Sequence, residues 1–241
     1  MTQAQINGSG PAGDPEGTLI GVVLDRSGSM TAVREPTIAG FNEFLHQQQQ
    51  LAAGGRALMS LTQFDNRFEV NFVGEPIENV PDLDTESFVP RGTTALFDAI
   101  GRTVHEIESW GKAHGWKERV LVMIITDGHE NASKEYHAPD IKALIERKEK
   151  EGWNFAYMGA NQDSYAAAGT LSIRRDFTGN YDATAAGTAT SYSRMSAATT
   201  TYRMSRSKGQ SAPAFYDSAD DPQPAASGSL KPKEAPTPRR P

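Results

Sequence analysis

The chain has 241 residues, which is enough for one α/β domain with a conventional hydrophobic core. It contains no cysteine, and this excludes disulfides, cysteine-ligated zinc and thiol catalysis. The net charge of −6 does not favour binding to nucleic acid or to an anionic membrane. No apolar run approaches the roughly 20 residues of a membrane-spanning helix. We therefore expect neither a nucleic-acid nor a membrane partner.

Residues 1–17 are polar and contain glycine and proline. They lack the basic start and the apolar stretch that are typical of a signal peptide. We predict that this segment is disordered and that the protein is cytoplasmic.

The first strand is predicted from an unbroken apolar run at residues 19–24. A run without polar alternation is typical of a strand that is buried on both faces of a parallel sheet. It stops at Asp25, and Ser27 and Ser29 follow at a spacing of two residues. In open α/β sheets, ligands bind just beyond the carboxyl ends of the strands, so these three side chains are candidates for a binding site.

The next elements are a helix and a hairpin. Helical spacing of apolar residues begins near Pro36 and ends before the glycine pair at residues 54–55. Two strand-like runs follow at residues 57–64 and 67–73, with only two residues between them. Because so short a link cannot contain a parallel crossover, we predict an antiparallel hairpin at the edge of the sheet.

The second half of the chain alternates helical and strand-like patterns. The predicted helices and strands are helices at residues 95–114, 139–151, within 159–169 and at 184–206, and strands at 120–125, 153–158 and 172–177. From residue 207 to 241 Pro, Ala, Ser and Lys dominate, and such a segment buries too little apolar surface to fold. Removal of this disordered tail after Arg206 is then expected to leave thermal stability nearly unchanged.

Together these elements predict one doubly wound, Rossmann-like α/β domain at residues 18–206. Its six-stranded sheet is mostly parallel with one antiparallel edge strand, and helices cover both faces.

Two strand ends in this fold supply a candidate metal site. The strand at 120–125 ends just before Asp127, and if it lies beside the first strand, Asp25 and Asp127 face one crevice. A polar loop that contains Thr94 lies between them in sequence. Asp25, Ser27, Ser29, Thr94 and Asp127 offer two carboxylates and three hydroxyls. Such hard oxygen ligands suit Mg²⁺ or Mn²⁺.

The three polar motifs resemble those of a von Willebrand factor type A (VWA) domain. They read D-R-S-G-S at residues 25–29, G-T-T-A-L-F-D-A at 92–99 and T-D-G at 126–128. The resemblance implies that they form a metal-ion-dependent adhesion site (MIDAS). It also implies that the threonine ligand directly precedes the A-L-F-D-A run, which selects Thr94 over Thr93.

This resemblance implies that the chain is not an enzyme but a protein-interaction module. A partner would present an Asp or Glu side chain to the divalent cation. Intracellular bacterial members of the family often act as adaptors, including beside AAA+ ATPases of the MoxR type, so the resemblance makes such an ATPase a candidate partner.

Two other functions remain open. A metal-dependent phosphoesterase would use the same oxygens, with Arg26 and Arg91 as the nearby cations that could bind phosphate. Alternatively, the metal would only tie three loops together. We interpret His129 and His137 as loop surface residues, because neither has zinc-ligand spacing. Glu130 and Asn131, which follow Asp127, would either lie close behind the metal ligands or cap their loop.

Overall fold

A single mixed sheet forms the centre of the computed structural model, which describes residues 17–117, 119–160, 164–205 and 214–216. The six strands are β1 (Thr18–Asp25), β2 (Ala57–Phe64), β3 (Phe68–Pro76), β4 (Arg119–Thr126), β5 (Trp153–Ala160) and β6 (Thr178–Tyr181). Their order across the sheet is β3-β2-β1-β4-β5-β6, and only β2 and β3 pair antiparallel. The predicted doubly wound fold with one antiparallel edge strand is therefore confirmed.

Helices cover both faces of this sheet. They are α1 (Arg34–Gln50), α2 (Leu96–His114), α3 (Ala138–Lys150), α4 (Ser164–Thr170) and α5 (Ala185–Met204). Right-handed crossovers place α1 on the face opposite to α2, α3 and α4, and α5 packs against α1. Gly40 permits this last contact, because a Cβ atom there would lie 2.5 Å from the ring of Tyr192. Among the described residues, no helix combines the length and the apolar character needed to cross a membrane.

The edge strand β6 lies later in the chain than the sequence predicts. Residues 172–177 do not form a strand, so that prediction is wrong. Ser172 has a positive φ of 63°, which interrupts extended backbone, and a 3₁₀ turn precedes Thr178–Tyr181. The apolar residues Ile173 and Phe177 are buried as expected, but they pack from turns. Burial was therefore readable from hydrophobicity, whereas pairing was not.

Two residues from the predicted tail pack against the sheet. The backbone N–H groups of Phe215 and Tyr216 both donate to the carbonyl oxygen of Asp176, at 2.8 and 2.9 Å. The Phe215 ring stacks on Phe177 with centroids 5.4 Å apart, and Tyr216 lies over Gly179. Both side chains are about 95% buried (5% and 6% exposed). The boundary at residue 206 thus omits two core residues, while residues 207–213 and 217–241 of the predicted tail and residues 1–16 lie outside the described residues.

Truncation after Arg206 is now expected to destabilise the domain. Burying one large apolar side chain contributes about 1.5–3 kcal/mol, and ordering of the segment offsets part of the sum for two. We expect a net loss of about 2 kcal/mol, or a fall in Tm of about 4–8 °C for a domain of this size. The measurement is thermal unfolding of chains that end at residue 206 and at residue 216. Equal melting temperatures would show that Phe215 and Tyr216 add nothing.

Candidate metal centre

The predicted site residues meet at the carboxyl edge of the sheet, where its strand order reverses. From β1 the chain first adds β2 and β3 on one side and then β4 on the other. Ligands of open α/β sheets bind at such a switch point. β1 ends at Asp25, and Asp127 directly follows the end of its parallel neighbour β4. The predicted adjacency of these two carboxylates is therefore confirmed.

Hydrogen bonds hold both oxygens of the Asp25 carboxylate. Oδ1 accepts the backbone N–H of Ser27 at 2.6 Å, a local turn that Asp at a strand end favours. Oδ2 accepts the hydroxyl of Thr126 at 2.6 Å. Asp25 is fully buried, so its carboxylate has one orientation. Sequence reasoning missed the role of Thr126, although the T-D-G motif contains it.

The hydroxyl groups lie around the second carboxylate. Ser29 Oγ donates to Asp127 Oδ1 at 2.6 Å, and it lies 3.1 Å from Ser27 Oγ. A Cβ atom added to Gly128 would lie 3.4 Å from Thr94 Oγ1 and 3.7 Å from Ser29 Oγ. Thr94 and Ser29 therefore flank the same point beside Gly128. The structure brings all five predicted residues together, and their binding of a metal stays a prediction.

The threonine loop is tied to the loop after β4 by a reciprocal pair of hydrogen bonds. The N–H of Thr94 donates to Asn131 Oδ1 at 2.9 Å, and the N–H of Asn131 donates to the Thr94 carbonyl at 3.0 Å. Thr94 is 97% buried (3% exposed), whereas Thr93 is exposed to solvent. Asn131 therefore fixes the backbone of Thr94, and the choice of Thr94 over Thr93 as a metal ligand stays a prediction.

The carboxylate of Glu130 stabilises the loop and not the site. It accepts the N–H groups of Phe97, Ala132 and Ser133 at 2.7–3.0 Å, together with the Ser133 hydroxyl at 2.7 Å. The next part of the loop is held by Asp98, which lies in the first turn of α2. Its carboxylate accepts the backbone N–H groups of Lys134, Glu135 and Tyr136. These contacts join the loop after β4 to the start of α2.

An ionic network centred on the buried Asp65 lies beside two loops of the site. These are the loop of residues 25–29 and the loop that contains Thr94. The Asp65 Oδ2 atom lies 3.3 Å from Arg26 Nε and 2.8 Å from Arg91 Nε. Arg26 also reaches Glu69 at 2.7 Å. Asp65 is fully buried and Arg26 is 4% exposed. In addition, the Asp65 carbonyl accepts the N–H of Ala95, which directly follows Thr94. The network therefore connects the β2–β3 turn to the loop of residues 25–29 and to the loop that contains Thr94.

Burial disfavours negative charge on both carboxylates of the site. It raises the pKa of Asp25 to about 6, although hydrogen bonds from Thr126 and Ser27 oppose the shift. Burial also raises the pKa of Asp127, again against a hydrogen bond from Ser29. A nearby cation would favour the ionised carboxylates, so the electrostatics of the site suit a positively charged ligand.

The donor set fits a hard divalent cation. Two carboxylates can balance its charge, and three neutral hydroxyls add oxygen ligands without further charge. Across the part of the chain that the structure describes, no three His, Cys, Asp or Glu side chains cluster as a metal site.

Similar solved structures were found, although no protein-family model and no curated protein matches the sequence. Proximal thread matrix protein 1 of the mussel byssus, with a zinc-occupied MIDAS motif, has a TM-score of 0.57 and 14% identity over 78% of this chain and 47% of its own. A von Willebrand factor type A protein of Catenulispora acidiphila has a TM-score of 0.52 and 14% identity over 78% of this chain and 43% of its own.

A third neighbour is the pilus adhesin SpaC of Lactobacillus rhamnosus GG in its open conformation. It has a TM-score of 0.59 and 12% identity over 77% of this chain and 30% of its own. The chain therefore spans less than half the length of each of these three proteins. These likenesses and the strand order define an open α/β domain with its candidate site at the switch point. The fold is that of a VWA domain.

Proposed function

We propose that this chain is a protein-interaction module that binds an acidic side chain of its partner through a divalent cation. The convergence of Asp25, Ser27, Ser29, Thr94 and Asp127 at the switch point of the sheet carries this proposal. A structural neighbour of the same fold holds zinc in its MIDAS, and another neighbour is an adhesin, which supports the same function.

Each group in the site has a defined part in this function. Asp25 and Asp127 supply the negative charge that retains the ion, and Ser27, Ser29 and Thr94 supply neutral oxygens. Because the hydroxyls do not lower the charge of the ion, it remains attractive to an anionic ligand from outside. A carboxylate of the partner is therefore preferred to a neutral carbonyl.

The identity of the ion and of the partner are further parts of the proposal. Oxygen ligands alone favour Mg²⁺ or Mn²⁺. Ca²⁺ prefers more ligands at longer distances and should serve less well. An adaptor role beside a MoxR-type ATPase in the cytoplasm follows from the family resemblance alone and stays a prediction.

A phosphoesterase function is less well supported by the surroundings of the site. Its cationic phosphate clamp would be Arg26 or Arg91, and both guanidinium groups already pair with Asp65. The nearest histidines, His129 and His137, are exposed loop residues, as predicted. The His137 N–H donates to Asp140 at the start of α3. Hydrolysis of a phosphate ester in Mg²⁺ or Mn²⁺ that Asp127→Asn abolishes would favour the enzyme instead.

Asp127→Asn is expected to weaken Mg²⁺ binding by about 100-fold. Loss of a residue that only orients a metal ligand costs about 10- to 100-fold in affinity, and loss of a charged ligand should be at the upper end of that range or beyond it. The amide keeps the size of the side chain, so the fold should persist. Calorimetric titration with Mg²⁺, Mn²⁺ and Zn²⁺ measures the affinity. Saturating Mg²⁺ should also raise the Tm of the unmodified chain but not of the variant, since a ligand stabilises only the state that binds it.

Asp82→Asn is a suitable control for this measurement. Asp82 is half-exposed and pairs with His46 of α1, and it lies outside the three motifs at residues 25–29, 92–99 and 126–128. Its replacement should change neither the metal affinity nor the response of Tm to Mg²⁺. An Asp127→Asn chain that binds Mg²⁺ as tightly as the control would contradict the assigned site. A partner captured equally well in EDTA would contradict the proposed mechanism of binding.

A further inference from the structure

An apolar pocket lies directly beside the candidate metal centre. It has a volume of about 210 Å³ and lies between the start of α2, the loop after β4 and helix α4. Leu96, Tyr157 and Leu171 form its inner walls, and each of them is at least 97% buried. Ala167 of α4 is half-buried and lines the pocket, and His129 is exposed at its edge. The pocket is thus apolar within and polar at its rim, as ligand pockets usually are.

This pocket and the metal centre share two loops. Leu96 follows the ligand Thr94 by two residues, and His129 follows the ligand Asp127 by two residues. The two loops are fixed to each other by the reciprocal hydrogen bonds of Thr94 and Asn131. A partner that reaches the metal with one side chain therefore brings its neighbouring side chains over the pocket.

The one carboxylate in the pocket wall does not make it suitable for a cation. Glu130 directs both of its carboxylate oxygens to the N–H groups of Phe97, Ala132 and Ser133 and to the Ser133 hydroxyl. Its charge is already compensated by these donors, so this carboxylate does not favour a cationic side chain. An apolar side chain loses nothing by entering, because it has no hydrogen bonds to give up.

The volume defines the size of the occupant. A protein cavity of about 150 Å³ that is lined by Leu, Ile and Phe is sufficient to bind benzene. The pocket here has about 210 Å³, so it has room for one benzene-sized ring. We infer that the partner places a phenylalanine side chain in this pocket, close in sequence to the acidic residue that binds the cation. This inference rests on the proposed function and adds to it the partner's second anchoring residue.

Synthetic peptides test the inference with the full chain. Each acetylated peptide carries a central Asp in a Gly-Ser background, with Phe at one of the three positions on either side. Matched peptides carry Ala for Phe, or Asn for Asp. NMR titrations, which detect millimolar binding, are made in saturating Mg²⁺ and again in EDTA. In Mg²⁺ we expect at least one Asp-and-Phe peptide to bind about ten- to a hundredfold tighter than its Ala counterpart.

Variants of helix α4 locate the preference. Ala167→Leu fills the pocket and should remove the preference for Phe while leaving the Mg²⁺ affinity unchanged. Ala166→Leu is the matched control, since Ala166 is the exposed neighbour on the same helix. If Ala167→Leu does not fold, Thr170→Leu at the exposed edge of the pocket replaces it in the same comparison.

The outcomes separate this inference from the proposed function. Asp peptides that bind only with Mg²⁺, but with equal affinity for Phe and Ala versions, overturn the pocket and leave the function standing. A Phe preference that Ala167→Leu and Ala166→Leu retain equally also overturns the pocket. Binding that ignores both EDTA and the Asp-to-Asn exchange overturns the proposed function. The absence of binding by every peptide overturns the inference, because a joint anchor should reach the millimolar range.

Discussion

Replacing Arg203 with methionine is expected to lower the free energy of unfolding by about 3 kcal/mol. Arg203 lies on α5 and is only 1% exposed. Its Nη1 atom donates to the carbonyl of Gln48 at 2.6 Å, and its Nη2 atom donates to the Gly55 carbonyl at 3.2 Å. The guanidinium thus satisfies carbonyl groups at and beyond the carboxyl end of α1, which have no partner within that helix. Methionine keeps the apolar stem but leaves these buried acceptors unpaired.

The cost of burying the charge partly opposes this loss. Burial lowers the pKa of Arg203, so the charged form is less favourable there than in water. Removal of the charge relieves that cost, and for this reason we do not expect the full sum of the lost hydrogen bonds. A net loss of about 3 kcal/mol corresponds to a fall in Tm of about 6–12 °C for a domain of this size.

Arg194→Met is the matched control on the same helix. Arg194 is half-buried, and its guanidinium lies 5.7 Å from the centroid of the Tyr216 ring. Exposed cation–π contacts contribute about 0.5–1 kcal/mol, so loss of this contact should cost less than loss of the buried hydrogen bonds of Arg203. Urea unfolding at equilibrium measures both variants. If Arg203→Met is no less stable than Arg194→Met, the guanidinium does not hold α5 to α1.

The two central strands, β1 and β4, were predictable because they are apolar along nearly their whole length. The run before Asp25 and the run before Asp127 both lack polar alternation, and the structure buries nearly every residue in them. The hairpin followed from the length of the link, which is two residues in the prediction and three in the structure, because so short a link permits only an antiparallel return. Such signals depend on local sequence. They were sufficient to predict the fold class and the position of Asp25 and Asp127 at the ends of two neighbouring strands.

Helix α5 shows where local patterns are weaker. Its buried face carries hydroxyls and an arginine beside the apolar residues, so its amphipathic pattern is faint. Gln48 of α1 donates to Ser196 and Thr200 at 3.1–3.3 Å, and these contacts join residues about 150 positions apart. Hydrogen bonds between distant segments leave no periodic signal in either segment. The packing of Phe215 and Tyr216 on β6 escaped prediction for the same reason.

In the candidate site, too, one group of residues was predictable from local sequence and another was not. The motifs contain every proposed ligand, because each lies directly after a strand or before a helix. The residues that orient the ligands are less visible. Asn131 could be named only as a neighbour of Asp127, and Asp65 lies in a turn that resembles an ordinary hairpin turn. Arg26 and Arg91 attracted attention as cations, whereas the structure uses both in the network around Asp65.

Asp65→Asn is expected to be the most damaging of the substitutions considered, with a loss of about 4 kcal/mol. Removal of one partner from a buried ion pair costs about 3–5 kcal/mol, because the other charge stays buried without compensation. Here Arg26 is 4% exposed and would keep only Glu69, which is itself half-exposed. The amide cannot replace the carboxylate fully, since Oδ1 accepts the Arg67 N–H and Oδ2 accepts from Arg26 and Arg91. An NH₂ group in either position would face a donor.

The same substitution should also weaken the metal centre. The N–H of Arg91 donates to the Arg26 carbonyl at 2.8 Å. Together with the ion pairs of Asp65, this hydrogen bond fixes the loop of residues 25–29 against the loop that contains Thr94. Loss of groups that orient metal ligands typically lowers affinity about 10- to 100-fold, and we expect about tenfold for Mg²⁺. Glu69→Gln is the matched control, since it removes only the half-exposed partner of Arg26 and should cost less than about 1 kcal/mol. Urea unfolding and Mg²⁺ calorimetry on both variants measure the two effects. If Asp65→Asn matches Glu69→Gln in stability and in Mg²⁺ affinity, the buried network does not position the loops.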